Sequence, residues 1–293
     1  QENKIPTAAY KTFTADTVED GKAFLGSLEP PYVLKADGLA GGKGVLILND
    51  LQGAKKQLDE MLLHKKFGNA ARQVVIEEFL DGTEVSIFVL TDGEDYKILP
   101  TAKDYKRIGD GDTGLNTGGM GAISPNLLAD DELIKKVEDQ IIQPTLQGLK
   151  NRNYDYKGFI FLGLMIIESE PYVIEYNVRL GDPETQAILP RIKTDLLSLL
   201  DKTTKGQLAG IDLEITDDFT ATLVLASGGY PGSYKKGEEI SGLDVTGDNT
   251  IIFHAGTHLS NNNTVTSGGR VLAVTSQSTD LKTAIEDSYK NSE

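Results

Sequence analysis

The order of apolar runs, amphipathic stretches and glycine-rich turns predicts an α+β chain: a mixed α+β region followed by a small β-rich one. Three observations carry this expectation. Strand-length apolar runs alternate with stretches of helical spacing through residues 1–192, a helical stretch of 193–218 follows as a linker, and residues 219–293 concentrate strand-like runs between glycine-rich turns. There is no fixed-period repeat and no low-complexity tract.

Taken in order, residues 17–28, TVEDGKAFLGSL, open with Thr17 as a cap and Asp20 three positions on, then turn amphipathic, which predicts a helix. YVLKAD around Lys35 and VLIL at 45–48 predict two strands joined by a glycine loop. From Asp50, the spacing of Leu51, Ala54, Leu58, Met61 and Leu62 predicts a second helix. QVVIEEF and EVSIFVLTDG predict strands about a turn at Asp81 and Gly82. Residues 104–125 read as a long glycine-rich loop. Residues 130–150 carry Leu133, Ile134, Val137, Ile141, Leu146 and Leu149 on one helical face, with Pro144 expected to kink or restart the helix. GFIFLGLMII and YVIEY predict a hairpin about Glu170 and Pro171. FTATLVLAS, TIIFHAG and RVLAVTS predict strands of a separate small domain, and TDLKTAIEDSY predicts a closing capped helix.

The chain has 293 residues, 39% of them apolar, and no run long enough to span a bilayer, so a globular protein of one to three domains is expected. It has no cysteine, which excludes disulfides, thiolate zinc sites and thiol nucleophiles and fits a reducing cytoplasm. A net charge of -15 argues against a general nucleic-acid binder, because a phosphate backbone is held by clustered Lys and Arg. The opening QENKIPTAAY lacks both an initiator Met and an apolar secretory core, and reads as an internal point of a longer chain.

Three segments carry chemistry. In KADGLAGGKG, residues 35–44, glycines let backbone N–H groups close on phosphate oxygens while Lys35 and Lys43 add mobile charge; the residues alone equally allow a flexible hairpin with solvated lysines. It is neither a Walker loop nor a GxGxxG fingerprint. In EEFLDGTE, residues 77–84, a strand edge offers backbone groups to an adenine rim and Glu84 a carboxylate for ribose hydroxyls; a plain hairpin with surface glutamates is the other reading. In EYNVRLGDPETQ, residues 175–186, Glu175 and Asn177 fall on one face of a strand and supply oxygen donors suited to a hard divalent cation. Arg179 continues that alternation and could grip a carboxylate or a phosphoryl group, while the GDP turn aims Asp182 and Glu184. Between these segments, Lys106 and Arg107 offer anion contacts and NTGGMG close backbone approach. His64, His254 and His258 form no metal triad and read as structural or surface residues.

The succession of glycine loop, EEFLxGxE, NTGGMG and ExNxRxGDPE resembles the ATP-grasp superfamily, whose fold is two α+β subdomains clasping ATP. Here the lid would be about 4–80 within an ATP-grasp domain of 1–192. RLGDPETQ, with HAGT at 254–257 and SGGRVL at 267–272, resembles the glycinamide ribonucleotide synthetases over essentially the whole chain. The resemblance implies an ATP-dependent carbon–nitrogen ligase of purine biosynthesis, joining glycine to 5-phosphoribosylamine through glycyl phosphate, with Mg²⁺ or Mn²⁺. It implies that Lys35, Gly41, Gly42, Lys43, Gly44, Glu77, Phe79, Leu80 and Glu84 hold ATP, and that Glu175 and Asn177 ligate metal. Arg179, Asp182 and Lys106 would be catalytic, Arg179 stabilising the transferring phosphoryl group, with Arg107, Asn116, Thr117, Gly118 and Gly119 lining the substrate side. A cytoplasmic monomer without nucleic-acid or membrane partners is expected. Relative to the family, a Rossmann-like domain before Gln1 and the closing C-terminal segment are missing, so a fragment is expected; another ATP-grasp carboxylate–amine ligase or a catalytically incomplete ATP-binding fragment are the alternatives.

Overall fold

A computed structural model of the chain describes residues 2–38, 44–111, 113–244 and 247–293. The chain divides into two compact units, Pro6–Thr83 and Gln1–Ile5 with Glu84–Glu293.

The smaller unit is an antiparallel sheet of β1 (Tyr10–Thr14), β2 (Tyr32–Ala36), β3 (Val45–Leu48) and β4 (Gln73–Glu77) in the order β1-β4-β2-β3. Its core joins Phe13, Leu34, Val74 and Ile76 of the strands to Leu25 of α1 (Val18–Leu25) and Leu58, Met61 and Leu62 of α2 (Leu51–Leu62). Helix α2 starts where the Asp50 carboxylate accepts from the Gly53 N–H at 2.6 Å, satisfying a donor that has no partner within the helix.

In the larger unit, β5 (Thr83–Thr91), β6 (Tyr96–Ile98), β9 (Gly158–Ile167) and β10 (Glu170–Asn177) form one sheet in the order β10-β9-β5-β6. The apolar runs of β5 and β9 are continuous because both strands are covered on both faces. Val85, Ile87, Val89, Ile160, Leu162 and Leu164 pack with α3 (Asp131–Val137) and α4 (Gln143–Asn151), while Phe88, Leu90 and Phe161 pack with Ile188, Leu199 and Leu208. The expected break at Pro144 takes the form of a π-helical segment, Glu138–Ile142, that runs directly into α4 and changes the hydrogen-bond register just before the proline, a residue that cannot donate.

A second sheet has the order β12-β15-β11-β8-β7, formed from β7 (Lys103–Gly109), β8 (Thr113–Ser124), β11 (Phe219–Ala226), β12 (Thr250–His254) and β15 (Arg270–Ser278). Short helices α5 (Glu184–Ile188) and α6 (Leu196–Thr204), a hairpin of β13 (Thr257–Ser260) and β14 (Asn263–Thr266), and α7 (Leu281–Lys290) complete the unit. Among the described residues no helix is long and apolar enough to cross a membrane.

Three expectations need correction. The segments on either side of Asp81 and Gly82 are not a hairpin: β4 pairs with β1 and β2, whereas β5 joins a different sheet. Where a loop is expected over 104–125, β7 and β8 pair as a β-hairpin with register irregularities on either side of Arg107. The β9–β10 turn falls at Glu168 and Ser169, both with positive φ as a tight two-residue turn requires, and Pro171 lies inside β10, tolerated because β10 is an edge strand. The β-rich C-terminal strands join the preceding region through one ladder, in which β11 pairs with β8 over Thr220–Leu223 and so continues the β7–β8 hairpin.

Candidate functional site

In the smaller unit, β2 and β4 are neighbours, which brings Lys35 Nζ to 2.6 Å from Glu77 Oε2, both side chains largely covered. Glu78 is committed elsewhere: its carboxylate accepts from the Ala9 N–H at 2.8 Å and its own N–H donates to the Ala9 carbonyl at 3.0 Å. The chemistry of the EE pair therefore rests on Glu77. Strand β4 is interior and paired on both sides through Glu77, so it has no free edge; backbone groups open to an adenine rim would have to come from residues past the ladder, around Phe79 and Leu80. Phe79 exposes 37% of its surface. The glycine loop is closed at its base by the Ala36 N–H donating to the Gly44 carbonyl and the Gly38 N–H to the Ala70 carbonyl. Gly41, Gly42 and Lys43 lie outside the described residues.

In the larger unit the candidate residues converge on Lys106. Its Nζ lies 2.6 Å from Glu84 Oε2 and 3.5 Å from Asp104 Oδ2. Asp104 was not singled out from sequence, yet it stands two residues before Lys106 in β7, and that spacing is the signal that could have found it. Burial opposes the Lys106 ammonium, but the charges of Asp104 and Glu84, the Glu84 hydrogen bond and the charge of Glu175 outweigh it, so its pKa is raised and it stays charged. Asp104 is pushed up by burial, with Lys106 opposing and Glu84 reinforcing, as expected when two carboxylates share one ammonium.

Glu175 reaches this cluster because of a bulge. The ladder pairs Val173 with Leu164 but Glu175 with Gly163, so Ile174 is an extra residue. Val173 packs against the α3–α4 side, and after the bulge it is Tyr176 that faces that side, its hydroxyl 2.8 Å from Thr145 Oγ1 of α4. Glu175 is thereby turned to the opposite face, and its side chain lies over Gly163, where an added Cβ would come within 2.7 Å of its Cγ. Asn177, opposite Phe161, keeps the same phase as Glu175, so the two oxygen donors share a face as the alternation predicts. Arg179 lies beyond the end of β10 and donates to the Leu180 carbonyl at 2.9 Å, so its direction is set by the turn and not by strand alternation.

Glu184, at the start of α5, is only 5% exposed, and its carboxylate folds back over Gly181, where no Cβ could stand. Burial first, then the charge of Asp104, pushes its pKa up to about 7, against Lys106 and Arg179. The GDPE string drew attention to this residue without indicating that it would be buried.

NTGGMG sits in an irregular stretch of the β7–β8 hairpin. Tyr105 pairs with Gly121 and Arg107 with Asn116, so Thr117–Met120 stand opposite the single residue Lys106. Thr117 Oγ1 donates to the Lys106 carbonyl at 2.7 Å and accepts from the Gly119 N–H at 3.0 Å. Arg107 Nη1 donates to the Gly114 carbonyl at 3.3 Å. Gly119 has φ of +114°, and an added Cβ would strike Pro183. The Asp182 carboxylate takes Gln186 Nε2 at 3.2 Å and Arg270 Nη2 at 3.2 Å. Arg270, 152 residues from Gly118, stands inside the SGGRVL string, but that string gives no sign of this contact.

Among the described residues no group of three or more His, Cys, Asp and Glu side chains is placed to hold a metal ion. Glu175 and Asn177 supply two hard oxygen donors beside a carboxylate-rich cluster. That suits a small divalent cation that keeps waters and takes its other ligands from phosphates better than it suits an all-protein cage.

The comparisons follow the same lines. The family model described as "Phosphoribosylglycinamide synthetase, ATP-grasp (A) domain" matches residues 1–185, and that of the "Phosphoribosylglycinamide synthetase, C domain" matches 220–293. The chain is 45% identical to the phosphoribosylamine–glycine ligase of Chlorobaculum tepidum, over 98% of this chain and 68% of that protein. It is also 45% identical to the bifunctional purine biosynthetic protein of Pichia angusta, over 99% of this chain but only 37% of that protein. The chain thus spans little more than a third of the bifunctional fungal relatives it matches. A crystal structure of phosphoribosylamine–glycine ligase from Thermotoga maritima superposes with a TM-score of 0.90 at 36% identity, covering 99% of this chain and 72% of that one. A Campylobacter jejuni biotin carboxylase, at 16% identity, a TM-score of 0.72 and coverage of 98% and 62%, shares the fold alone. The fold is therefore ATP-grasp, and the chain belongs to the phosphoribosylglycinamide synthetase family.

Proposed function

We propose that the chain carries the ATP-dependent ligation of glycine to 5-phosphoribosylamine, giving glycinamide ribonucleotide, ADP and phosphate. The observation that supports this most directly is the Lys106 cluster. One ammonium, two partner carboxylates and a third, Glu175, turned toward them by a bulge make a site built to handle anions and a cation together. The similarity to proteins named phosphoribosylamine–glycine ligase chooses the substrates.

A carboxylate is a poor acyl donor until one oxygen becomes part of a leaving group. In the proposed reaction a glycine carboxylate oxygen attacks the γ-phosphorus of ATP and ADP leaves. The amine nitrogen of phosphoribosylamine then attacks the glycyl carbonyl carbon, loses a proton, and expels phosphate. Protein groups contribute by positioning and by neutralising charge. Lys35 and the glycine loop to Gly44 would hold phosphates; Glu77, Phe79 and Leu80 would flank adenine, and Glu84 would accept the ribose hydroxyls. Lys106, Arg107 and Arg179 would neutralise the anionic reactants, with Asp182 and Asn116–Gly119 forming the substrate wall. Glu175 and Asn177 would hold Mg²⁺ or Mn²⁺, which would offset charge on the phosphates.

The test is ADP formation with Mg²⁺ in the presence and absence of glycine and freshly generated phosphoribosylamine, for the wild type and Glu175→Gln. Release that needs both substrates and falls at least about 100-fold in the variant, with its melting curve unchanged, is expected. Release driven by bicarbonate in place of glycine would sink the reading, and wild-type turnover by Glu175→Gln would remove that residue from the site.

A further inference from the structure

We propose that Arg270 is a positioning residue for the substrate wall, holding the Gly118–Gly119 peptides and Asp182 in one fixed arrangement. This rests on the ligase reading of the site. Arg270 opens β15, in the part of the chain that matches the C domain, and its side chain is 21% exposed. Nη1 donates to the carbonyls of Gly118 at 2.7 Å, Gly119 at 3.3 Å and Asp182 at 2.8 Å, while Nη2 lies 3.2 Å from the Asp182 carboxylate. One guanidinium thus ties four acceptors on two segments far apart in sequence. The other side of the Gly118 peptide is held too, because its N–H donates to the Tyr230 hydroxyl at 3.0 Å.

The neighbouring glycines are shaped to this side chain. A Cβ on Gly118 would lie 3.0 Å from the guanidinium carbon. The backbone of Arg270 is itself anchored: its carbonyl accepts from the Gly256 N–H at 2.9 Å, and Gly256 and Gly268 pack so closely that a Cβ on Gly256 would fall 2.6 Å from the Gly268 Cα. The HAGT and SGGR strings therefore fasten the base of Arg270, and NTGG and GDP receive its tip. Lysine cannot replace it, since a point charge on a flexible stem cannot meet several carbonyls and a carboxylate from one rigid plane.

The test compares wild type, Arg270→Lys and Arg270→Ala. ATP affinity, read by calorimetry, is expected to stay within about twofold, because no contact of Arg270 involves the residues assigned to the nucleotide. The glycine kcat/KM is expected to fall roughly 100-fold in both variants, as misplacement by about an ångström can do. Millimolar guanidinium should restore part of it to Arg270→Ala alone. Wild-type glycine kinetics in both variants would overturn the proposal, as would ATP affinity lost in step with glycine turnover, which would mark Arg270 as scaffold only. If the wild type binds ATP but forms no ADP with glycine and phosphoribosylamine, the ligase reading fails by itself. Amide exchange then decides the positioning role: faster exchange in Arg270→Ala confined to Gly118, Gly119 and their neighbours supports it, and unchanged exchange there overturns it.

Discussion

Glu184 has the least water around it of the carboxylates near Lys106, and its raised pKa ties folding to pH. Its carboxyl goes from the usual 4.5 to about 7, chiefly through burial and then through Asp104. Between those values the folded chain keeps a proton that the unfolded chain has released, so stability falls as pH rises through that window and levels off above it. At about 1.4 kcal/mol per unit, the effect is at most roughly 3 kcal/mol. Glu184→Gln should therefore unfold at higher urea concentration than wild type at pH 8 and nearly equally at pH 4.5, in melts without metal. Equal midpoints at both pH values would mean that the carboxyl is not held protonated. Gly163 gives a second prediction at this scale. Gly163→Ala puts a methyl where the Glu175 side chain lies, and should lower ADP formation about tenfold or more while shifting the melting temperature only slightly. Unchanged kinetics would show that Glu175 has room to move.

At the scale of elements, the β7–β8 hairpin sets the limits of what the sequence disclosed. Its glycines invite the reading of a loop, but they serve a four-residue excursion of β8 opposite Lys106, held by Thr117 and by Arg270. Gly119→Ala brings a Cβ against Pro183 at a φ of +114° and should cost about 1–3 kcal/mol, read as a lower melting temperature. A stability equal to wild type would mean that the excursion relaxes freely. Elements whose periodicity is local were legible: α2 from its cap and spacing, and β5 and β9 from apolar runs that the two flanking cores require. Bulges and two-residue turns were not. The extra residue at Ile174 and the turn at Glu168 and Ser169 depend on which backbones pair, and pairing is settled by long-range packing. The motifs singled out Glu84, Lys106 and Glu175 for separate roles, and only the folded chain puts Lys106 Nζ 2.6 Å from Glu84. Asp104, the burial of Glu184 and the reach of Arg270 emerge only when distant strands are brought together.

For the whole molecule, the decisive junction is the strand pair β8–β11. The two family models meet across it, one ending at 185 and the other beginning at 220, yet the hydrogen-bonded ladder runs straight through from Thr220–Leu223 to Gly121–Ser124. Buried polar groups seal the same junction: Thr220 Oγ1 donates to the Ala187 carbonyl at 2.6 Å, and the Arg191 guanidinium meets Ser124 Oγ at 3.1 Å and the Thr216 carbonyl at 2.8 Å. Ending the chain at Asp218 would strip β11, β12, β15 and α7 together and leave the inner edge of β8 open, with unpaired backbone groups beside apolar surface. Such a chain should aggregate or lose its cooperative melt, with amide protection disappearing along β7 and β8. The smaller unit, Pro6–Thr83, has its own core around Leu34, Leu58, Met61 and Ile76, so protection in α2 and β4 should persist in whatever remains soluble. A truncated chain that stays soluble, melts cooperatively and keeps β8 protected would show instead that residues 219–293 dock onto a finished domain. In that case Arg270 would act across a separable interface and not from within one sheet.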